Sequence, residues 1–554
     1  MRLLSTLLIL LSLRSTMAQN PPAPVAPNEP ATPDLPSVKP LEVPARTGIT
    51  GEWNITLEEA IRKVLENDRD LEVARIAAQE AVFNVNGAKG YYDPVMGLNA
   101  FHLKSVTPVA SLIGGSSDGK LTQKELYADP QLNGNFPWLG GTYALDFSSA
   151  RQSTDSTFTT LNPQFPTSLN LSLTQPLWRG LRFDQNRYRL QVARKNVLLS
   201  NEQLRQRVIE IVTQAIQAYW ELDYAYRNLA VQIEAVRLAE QQDLSNRRQV
   251  KQGILAPVDV IQTQTQISTF QQNVFTAQEG LTRAENVLKQ LMLPAREDQG
   301  WNAALVPTTT VHLEGEVPPL ADALKEALSS RPEIAEAKTN IDINGLDMRL
   351  SREQAKPQIN AVAKVSAQGL SGHPIPFVAS PLLTELGLTA GTLPIIFPGG
   401  YTQSLNNVAN GIFPAVQVGV QMSFPIRNRT AVAQEAVSAA EGKRLIAQRQ
   451  SVEMAVEADV RNAVQSVMAA RSRLASAVSA SEFAKEQYLS EQRQFQAGTS
   501  SVFLVLQRQT DLISARSREI RAKADMGNAV ADLDRATART LVSQRIDVLP
   551  GGTH

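Results

Sequence analysis

Two long stretches of the chain carry apolar residues at alternating steps of four and three. Leu204, Val208, Ile211, Ala215, Ala218, Leu222, Ala225 and Leu229 form one seam, and Val456, Val460, Ala463, Val467, Ala470, Leu474 and Ala477 form another. A mean spacing near 3.5 keeps a seam turned towards a neighbouring helix, so both stretches predict packed, coiled-coil-like helices. No proline interrupts the chain from Phe183 to Leu255 or from Arg427 to Leu549. Helices of about 65 residues are therefore possible, on the order of 100 Å at 1.5 Å per residue. Alanine is frequent on the seams, where small residues let backbones approach, and Gln, Arg, Glu and Ser fill many outward positions. On its own this pattern also fits a plain filamentous coiled coil.

Between the helical stretches the period drops to two. Tyr143, Leu145 and Phe147 alternate with Ala144, Asp146 and Ser148; Leu169, Leu171 and Leu173 alternate with Ser168, Asn170 and Ser172. Val416, Val418 and Val420 repeat the pattern clearly, and the segment starting at Gln358 repeats it less cleanly. Strands with one apolar and one polar face suit a transmembrane barrel, whose lipid and lumen faces alternate, and equally a half-buried soluble sheet. Aromatics near the strand ends (Tyr91, Tyr92, Phe101, Phe136, Trp138, Trp178, Phe183, Phe413, Phe424) suit interface belts or an ordinary core. The Pro- and Gly-rich stretch from Gly369 to Gly411 is long for a connection inside a compact domain, and in a barrel it is expected to be an extracellular loop.

The whole pattern occurs twice. Leu57-Glu-Glu-Ala-Ile and Leu71-Glu-Val-Ala are echoed by Leu320-Ala-Asp-Ala-Leu and Ile334-Ala-Glu-Ala. Leu171-Ser-Leu-Thr-Gln-Pro-Leu is echoed by Val420-Gln-Met-Ser-Phe-Pro-Ile, and the stretch from Lys251 to Gln262 by that from Gln496 to Gln507. The offsets are roughly 263, 249 and 245 residues, a drift that loop lengths account for, so a unit of about 250 residues is used twice. The expected organisation is a signal peptide over 1–18, a Pro-rich linker over 19–52, a first repeat over 53–302, a second over 303–545 and a tail over 546–554.

The amino terminus sets the compartment. Met1-Arg2, the mostly apolar Leu3 to Leu13 and the small-residue exit at Thr16-Met17-Ala18 read as an export signal, too short to span a membrane. Together with the alternating strands and the absence of a mature apolar helical span, this points to an outer membrane. The 54 basic residues match the 54 acidic ones, so there is no polybasic signal and no nucleic-acid partner is expected. Cysteine is absent, which excludes disulfides, thiolate metal sites and a Cys nucleophile. The histidines (His102, His312, His373, His554) are scattered and no phosphate-cradling motif occurs, so no metal, no cofactor and no catalytic activity is expected.

In this order, the Leu-Glu-Glu-Ala helix, strand pair, Pro-apolar junction, heptad helix and Gly-containing turn, all repeated, resemble the TolC-like outer-membrane efflux duct family from roughly Ile55 to Leu541. The resemblance implies a fold class that is mostly α with a membrane β-barrel contribution: a long α-helical tunnel and about four β-strands per protomer. A homotrimer then completes one barrel of about 12 strands, because so few strands leave open edges in lipid. It implies a passive exit duct of a tripartite efflux or type I secretion system, working through a periplasmic adaptor with an inner-membrane pump. The alternative is a periplasmic coiled-coil structural or adaptor protein without a pore. Gly253, Pro257, Asp259 and Gly498 match the periplasmic tips where an adaptor docks, although an ordinary helix-ending Gly and a helix-starting Pro also explain them. Leu504, Gln507 and Arg508 match the constriction; where some family members carry acids, Leu504 and Gln507 make an anionic ring unexpected. Leu169, Leu171, Leu173, Val416, Val418 and Val420 are the expected lipid face.

Overall fold

The computed structural model describes residues 37–110, 119–156, 159–310, 317–375 and 393–547, so the expected signal peptide, most of the linker and most of the tail lie outside the described residues. The chain divides into two compact units: Met1–Pro44 with Ala230–Ala277 and Glu482–Ser514, and Ala45–Leu229 with Gln278–Ser481 and Ala515–His554. In chain order come β1 (Gly51–Ile55), α1 (Leu57–Asn67), α2 (Arg69–Lys89), β2 (Val95–Pro108), β3 (Lys120–Asn135), β4 (Thr142–Thr154), β5 (Leu161–Pro176), α3 (Gln185–Lys251) and α4 (Pro257–Met292). Then follow β6 (Ala303–Pro307), α5 (Leu320–Ser330), α6 (Pro332–Ala355), β7 (Gln358–Pro374), α7 (Tyr401–Ala409), β8 (Phe413–Ser423), α8 (Arg429–Gln496), α9 (Val502–Ala536) and α10 (Thr540–Ser543). Helix α3 has 67 residues and α4 has 36; α8 has 68 and α9 has 35.

Local chemistry sets the shorter elements. Thr56 caps α1 by accepting from Glu59 N–H at 3.1 Å. Asp68 both ends α1 and caps α2, accepting from Leu71 N–H at 2.9 Å. Gly51 and Glu52, read from the sequence as linker, instead open β1, which pairs in parallel with β6 in the register Gly51 to Ala303. The buried Tyr219 hydroxyl donates to Ile55 C=O and accepts from Thr308 and Thr309 N–H, which fixes that small sheet against α3.

The seams pack as their spacing predicts. Leu204, Val208, Ile211, Ala215, Ala218, Leu222 and Ala225 are buried with Ile61, Val64, Leu71, Leu281 and Leu288, and Leu229 packs against them. Val456, Val460, Ala463, Val467, Ala470 and Leu474 bury against Ala522, Met526, Ala529, Leu533, Ala323 and Ala327. Helices approach so closely that a Cβ on Gly527 would lie 2.6 Å from the Trp220 ring.

The large sheet has six strands in the order β2-β3-β4-β5-β7-β8, with every neighbouring pair antiparallel. The strand number thus exceeds the expected four. Strands β2 and β3 are the two in excess: the Gln-Lys-Glu run, Pro130 and Gly134 blur the period-two pattern of β3, yet it pairs along its length with both β2 and β4. The Gly141 to Ala150 segment, whose place the sequence leaves open, forms the body of β4 inside the sheet. The stretch from Gly369 to Gly411 is not one loop either. Residues 369–374 complete β7, residues 401–409 form α7, and 376–392 lie outside the described residues.

Candidate functional site: an apolar sheet face and two helical turns

Cross-strand register sorts the six strands into two faces. One face carries Met96 and Leu98 on β2, Leu126 and Leu132 on β3, Tyr143, Leu145 and Phe147 on β4, and Leu169, Leu171 and Leu173 on β5. It continues with Ala361, Ala363 and Val365 on β7 and Val416, Val418, Val420 and Met422 on β8. All six strand residues singled out from the sequence lie on this face and are exposed, Val418 most of all at 78%. The opposite face is polar: Glu125, Gln131, Asp146, Gln152, Ser168, Asn170, Lys364, Gln368 and Gln417. Its side chains bind one another, Gln164 to Gln152 at 2.9 Å, Gln152 to Glu125 at 3.2 Å and Asn170 to Asp146 at 2.6 Å. From Pro414 to Met422 the apolar band runs about 26 Å along the strand at 3.3 Å per residue, close to the ~25 Å band of an outer-membrane barrel.

Strands β2, β5, β7 and β8 all meet helical segments at one end, and that end carries the aromatics. Phe136 stacks on Trp138 at 5.5 Å and meets Tyr143 at 5.0 Å, while Tyr91, Trp138, Trp178 and Phe424 are exposed. Three of the expected belt residues fall elsewhere. Phe183 is buried under the Arg349 guanidinium, and Phe101 and Phe413 stack on Tyr127 and Phe397 at the polar face. Beyond the band, α7 lies on the apolar side of β5 and β7. Its Ser404 is 2.6 Å from the Thr167 hydroxyl, and its backbone fits only because residue 369 is Gly, where a Cβ would sit 2.2 Å from Ser404 C=O.

The two helical turns share one geometry in the other unit. Gly253 (φ +73°) ends α3: its N–H donates to Val250 C=O, and Ile254 N–H to Gln249 C=O. Gly498 (φ +74°) ends α8 with the same pair of bonds to Phe495 and Gln494. Both are left-handed helix ends that glycine adopts without strain. The next helices are capped by complementary halves of one device. Pro257 opens α4 and the Asp259 carboxylate accepts from Ala256 N–H at 3.2 Å; before α9 the Ser501 hydroxyl accepts from Leu504 N–H at 3.4 Å. Asp259 and Leu504 thus occupy equivalent positions; the first turn keeps the carboxylate half of the capping box and the second the hydroxyl half.

Leu504, Gln507 and Arg508 lie on one side of α9. Leu504 and Gln507 are exposed, and half-buried Arg508 pairs with Asp511 at 3.0 Å. Asp511, one turn on, was not singled out from the sequence; the i, i+3 spacing from Arg508 was the available signal. Ile254, Val258 and Phe503 at the turns were also missed, and all are well exposed. Beneath the second turn Tyr488, Phe495, Val502, Val505, Leu506 and Leu512 form an apolar cluster that includes Leu255 from the first turn. Burial, and then the charge of Glu234, push the Tyr488 phenol above its ordinary value.

A sheet apolar on one face and polar on the other, joined to paired helices of this length, defines an outer-membrane channel. The outer membrane efflux protein family matches residues 134–292 and 323–539, and the chain belongs to that family. It is an outer-membrane efflux channel of the kind used by tripartite systems, mostly helical with a sheet portion. No curated protein matches it by sequence. Solved structures share the fold at low identity. The CmeC outer membrane channel of Campylobacter jejuni aligns with TM-score 0.61 and 14% identity over 89% of this chain and 90% of its own. The open-state MtrE channel of Neisseria gonorrhoeae gives 0.58 and 14% over 92% and 98%. VceC of Vibrio cholerae gives 0.58 and 15% over 87% and 95%.

Proposed function

We propose that three copies of this chain close one barrel and act as a passive, non-catalytic exit duct, joined through a periplasmic adaptor to an inner-membrane pump. The six-stranded sheet carries the reading. Its apolar face is exposed, and β2 and β8, paired only with β3 and β7, each leave their outer edge unpaired among the described residues of one copy. In lipid, unpaired strand edges cost several kcal/mol per group, so the sheet must close on further copies. Leu169, Leu171, Leu173, Val416, Val418 and Val420 then face lipid, and the Glu125, Asp146 and Asn170 face lines the lumen. A periplasmic coiled coil without a pore leaves that exposed apolar band unexplained.

At the turns, Gly253, Pro257, Asp259 and Gly498 hold the backbone that the adaptor meets, with Ile254, Val258 and Phe503 as its apolar contacts. Leu504, Gln507 and the neutralised Arg508 form the constriction, gated by polar and apolar groups rather than by an acidic ring. The two repeats, 53–302 and 303–545, each supply one turn. Single-channel recording of the detergent-extracted, reconstituted protein tests the duct: discrete conductance steps are expected, and a buffer-soluble protein that never conducts overturns it.

A further inference from the structure

Above the apolar band the same sheet face changes character on β2, β3 and β4. Lys104 lies directly opposite Lys124, and the next row across is His102, Leu126 and Arg151. All five side chains are exposed. Directly opposed like charges repel, with Cβ atoms about 5 Å apart, and a bound anion would offset that repulsion. The Lys104, Lys124 and Arg151 side chains make no hydrogen bond or ion pair with any described residue. The acids of the same strands, Glu125, Asp129 and Asp146, are all on the opposite face. The acid at this rim among the described residues is Asp155, which accepts from Thr122 N–H at 2.7 Å and feels the charge of Lys120. Leu126 sits within the basic group, and Ala128 and Leu98 follow below it. On β5 and β7 helix α7 covers this side of the sheet, so the open basic surface is confined to β2, β3 and β4.

We propose that this patch is a binding site for a phosphorylated glycolipid of the outer leaflet. Lys104, Lys124 and Arg151 hold its phosphates, and Leu126, Ala128 and Leu98 support its acyl chains. The placement fits: bases stand where headgroups begin, and apolar side chains continue directly beneath them. The assignment rests on the apolar face being the lipid face. Each basic residue near an anionic lipid surface is worth about fivefold in affinity, and the three together about a hundredfold.

The test uses the purified full-length protein in detergent, with melting temperature and binding measured against added bis-phosphorylated lipid A. The wild type is expected to bind and gain thermal stability. A K104Q/K124Q/R151Q variant should bind about a hundredfold more weakly and lose the thermal gain, and K104R/K124R should retain both. Dephosphorylated lipid A should give little shift and millimolar inorganic phosphate none. Equal binding by the triple variant, or an equal effect of the dephosphorylated lipid, overturns the proposal; an equal effect of inorganic phosphate alone assigns a free-anion site and overturns it too. Channel conductance of the triple variant, expected unchanged, keeps this outcome separate from the duct reading.

Discussion

Gly253 and Gly498 show how one residue type serves two readings. Each lies near φ +74° with open space where a Cβ would go, so substitution meets strain but no clash. The left-handed conformation costs a non-glycine residue about 1–2 kcal/mol. If the turns only end helices, Gly253→Val or Gly498→Val lowers the melting temperature and export falls in proportion. If they also meet an adaptor, export is lost out of proportion to that modest fall in melting temperature while the trimer stays assembled; a loss of export that only tracks the loss of trimer and of stability refutes docking. A second residue-scale effect comes from Glu336 on α6. Its carboxyl is pushed up to about 7, first by burial and then by the charges of Glu333, Glu202 and Glu210. Ionising it therefore costs the folded state. This contribution to stability is fully present below the ordinary carboxylate value, is lost as pH rises towards about 7, and is level above that. Since the group is half-exposed, solvent screening reduces the cost to on the order of 1 kcal/mol. Thermal melts at pH 5 and pH 8 check it: Glu336→Gln should lose less stability than wild type between them, and identical losses would show that Glu336 ionises normally.

Among the elements, the helices were the most legible in sequence. The 3.5 spacing from Leu204 to Ala225 and from Val456 to Leu474 marks residues that are buried, because long repeats average out local exceptions. Strand β3 and helix α7 were not legible. The pattern of β3 is broken by Pro130 and by the charged run Lys124-Glu125, which a two-sided barrel strand tolerates. Helix α7 has only nine residues and buries Ser404 and Asn407 beside Val408, with Asn407 donating to Leu370 and Ile396 C=O at 3.0 Å, so its buried face is largely polar and does not stand out in a Pro- and Gly-rich stretch. The start of α9 explains a further gap. Leu504 stands where the first turn has Asp259, and the start of α9 is capped by the Ser501 hydroxyl without an acid. An acid there can complete the capping box and does not disturb the turn, so it tests the constriction. Leu504→Asp should leave the unfolding free energy within about 0.5 kcal/mol of wild type, as surface changes usually do. It should also introduce a conductance block by divalent cations that the wild type lacks. Insensitivity of both proteins to divalent cations would place Leu504 away from the permeation path.

At the scale of the whole assembly, the parity of the sheet matters more than the identity of any strand. β2 runs away from the helical end and β8 runs back towards it, so a β8 edge laid beside a β2 edge of another copy is antiparallel, like every other pair in the sheet. An even number of strands per copy is what permits this. Three copies of six then give eighteen strands, within the range of outer-membrane barrels, in place of the roughly twelve that the sequence resemblance implied. Because barrel diameter grows about linearly with strand number, the proposed trimer has an exit about half as wide again as a twelve-stranded one. The closure can be tested cleanly because the chain has no native cysteine. Leu98→Cys on β2 combined in turn with Val416→Cys, Val418→Cys or Val420→Cys on β8 places paired thiols on the same face of adjoining copies. Oxidation should link at least one combination into a covalent ladder that stops at the trimer, while each single variant stays unlinked. A ladder that continues beyond three copies would mean open-ended association. No linkage in any combination would mean that β2 and β8 are not neighbours, and the eighteen-stranded barrel would have to be given up.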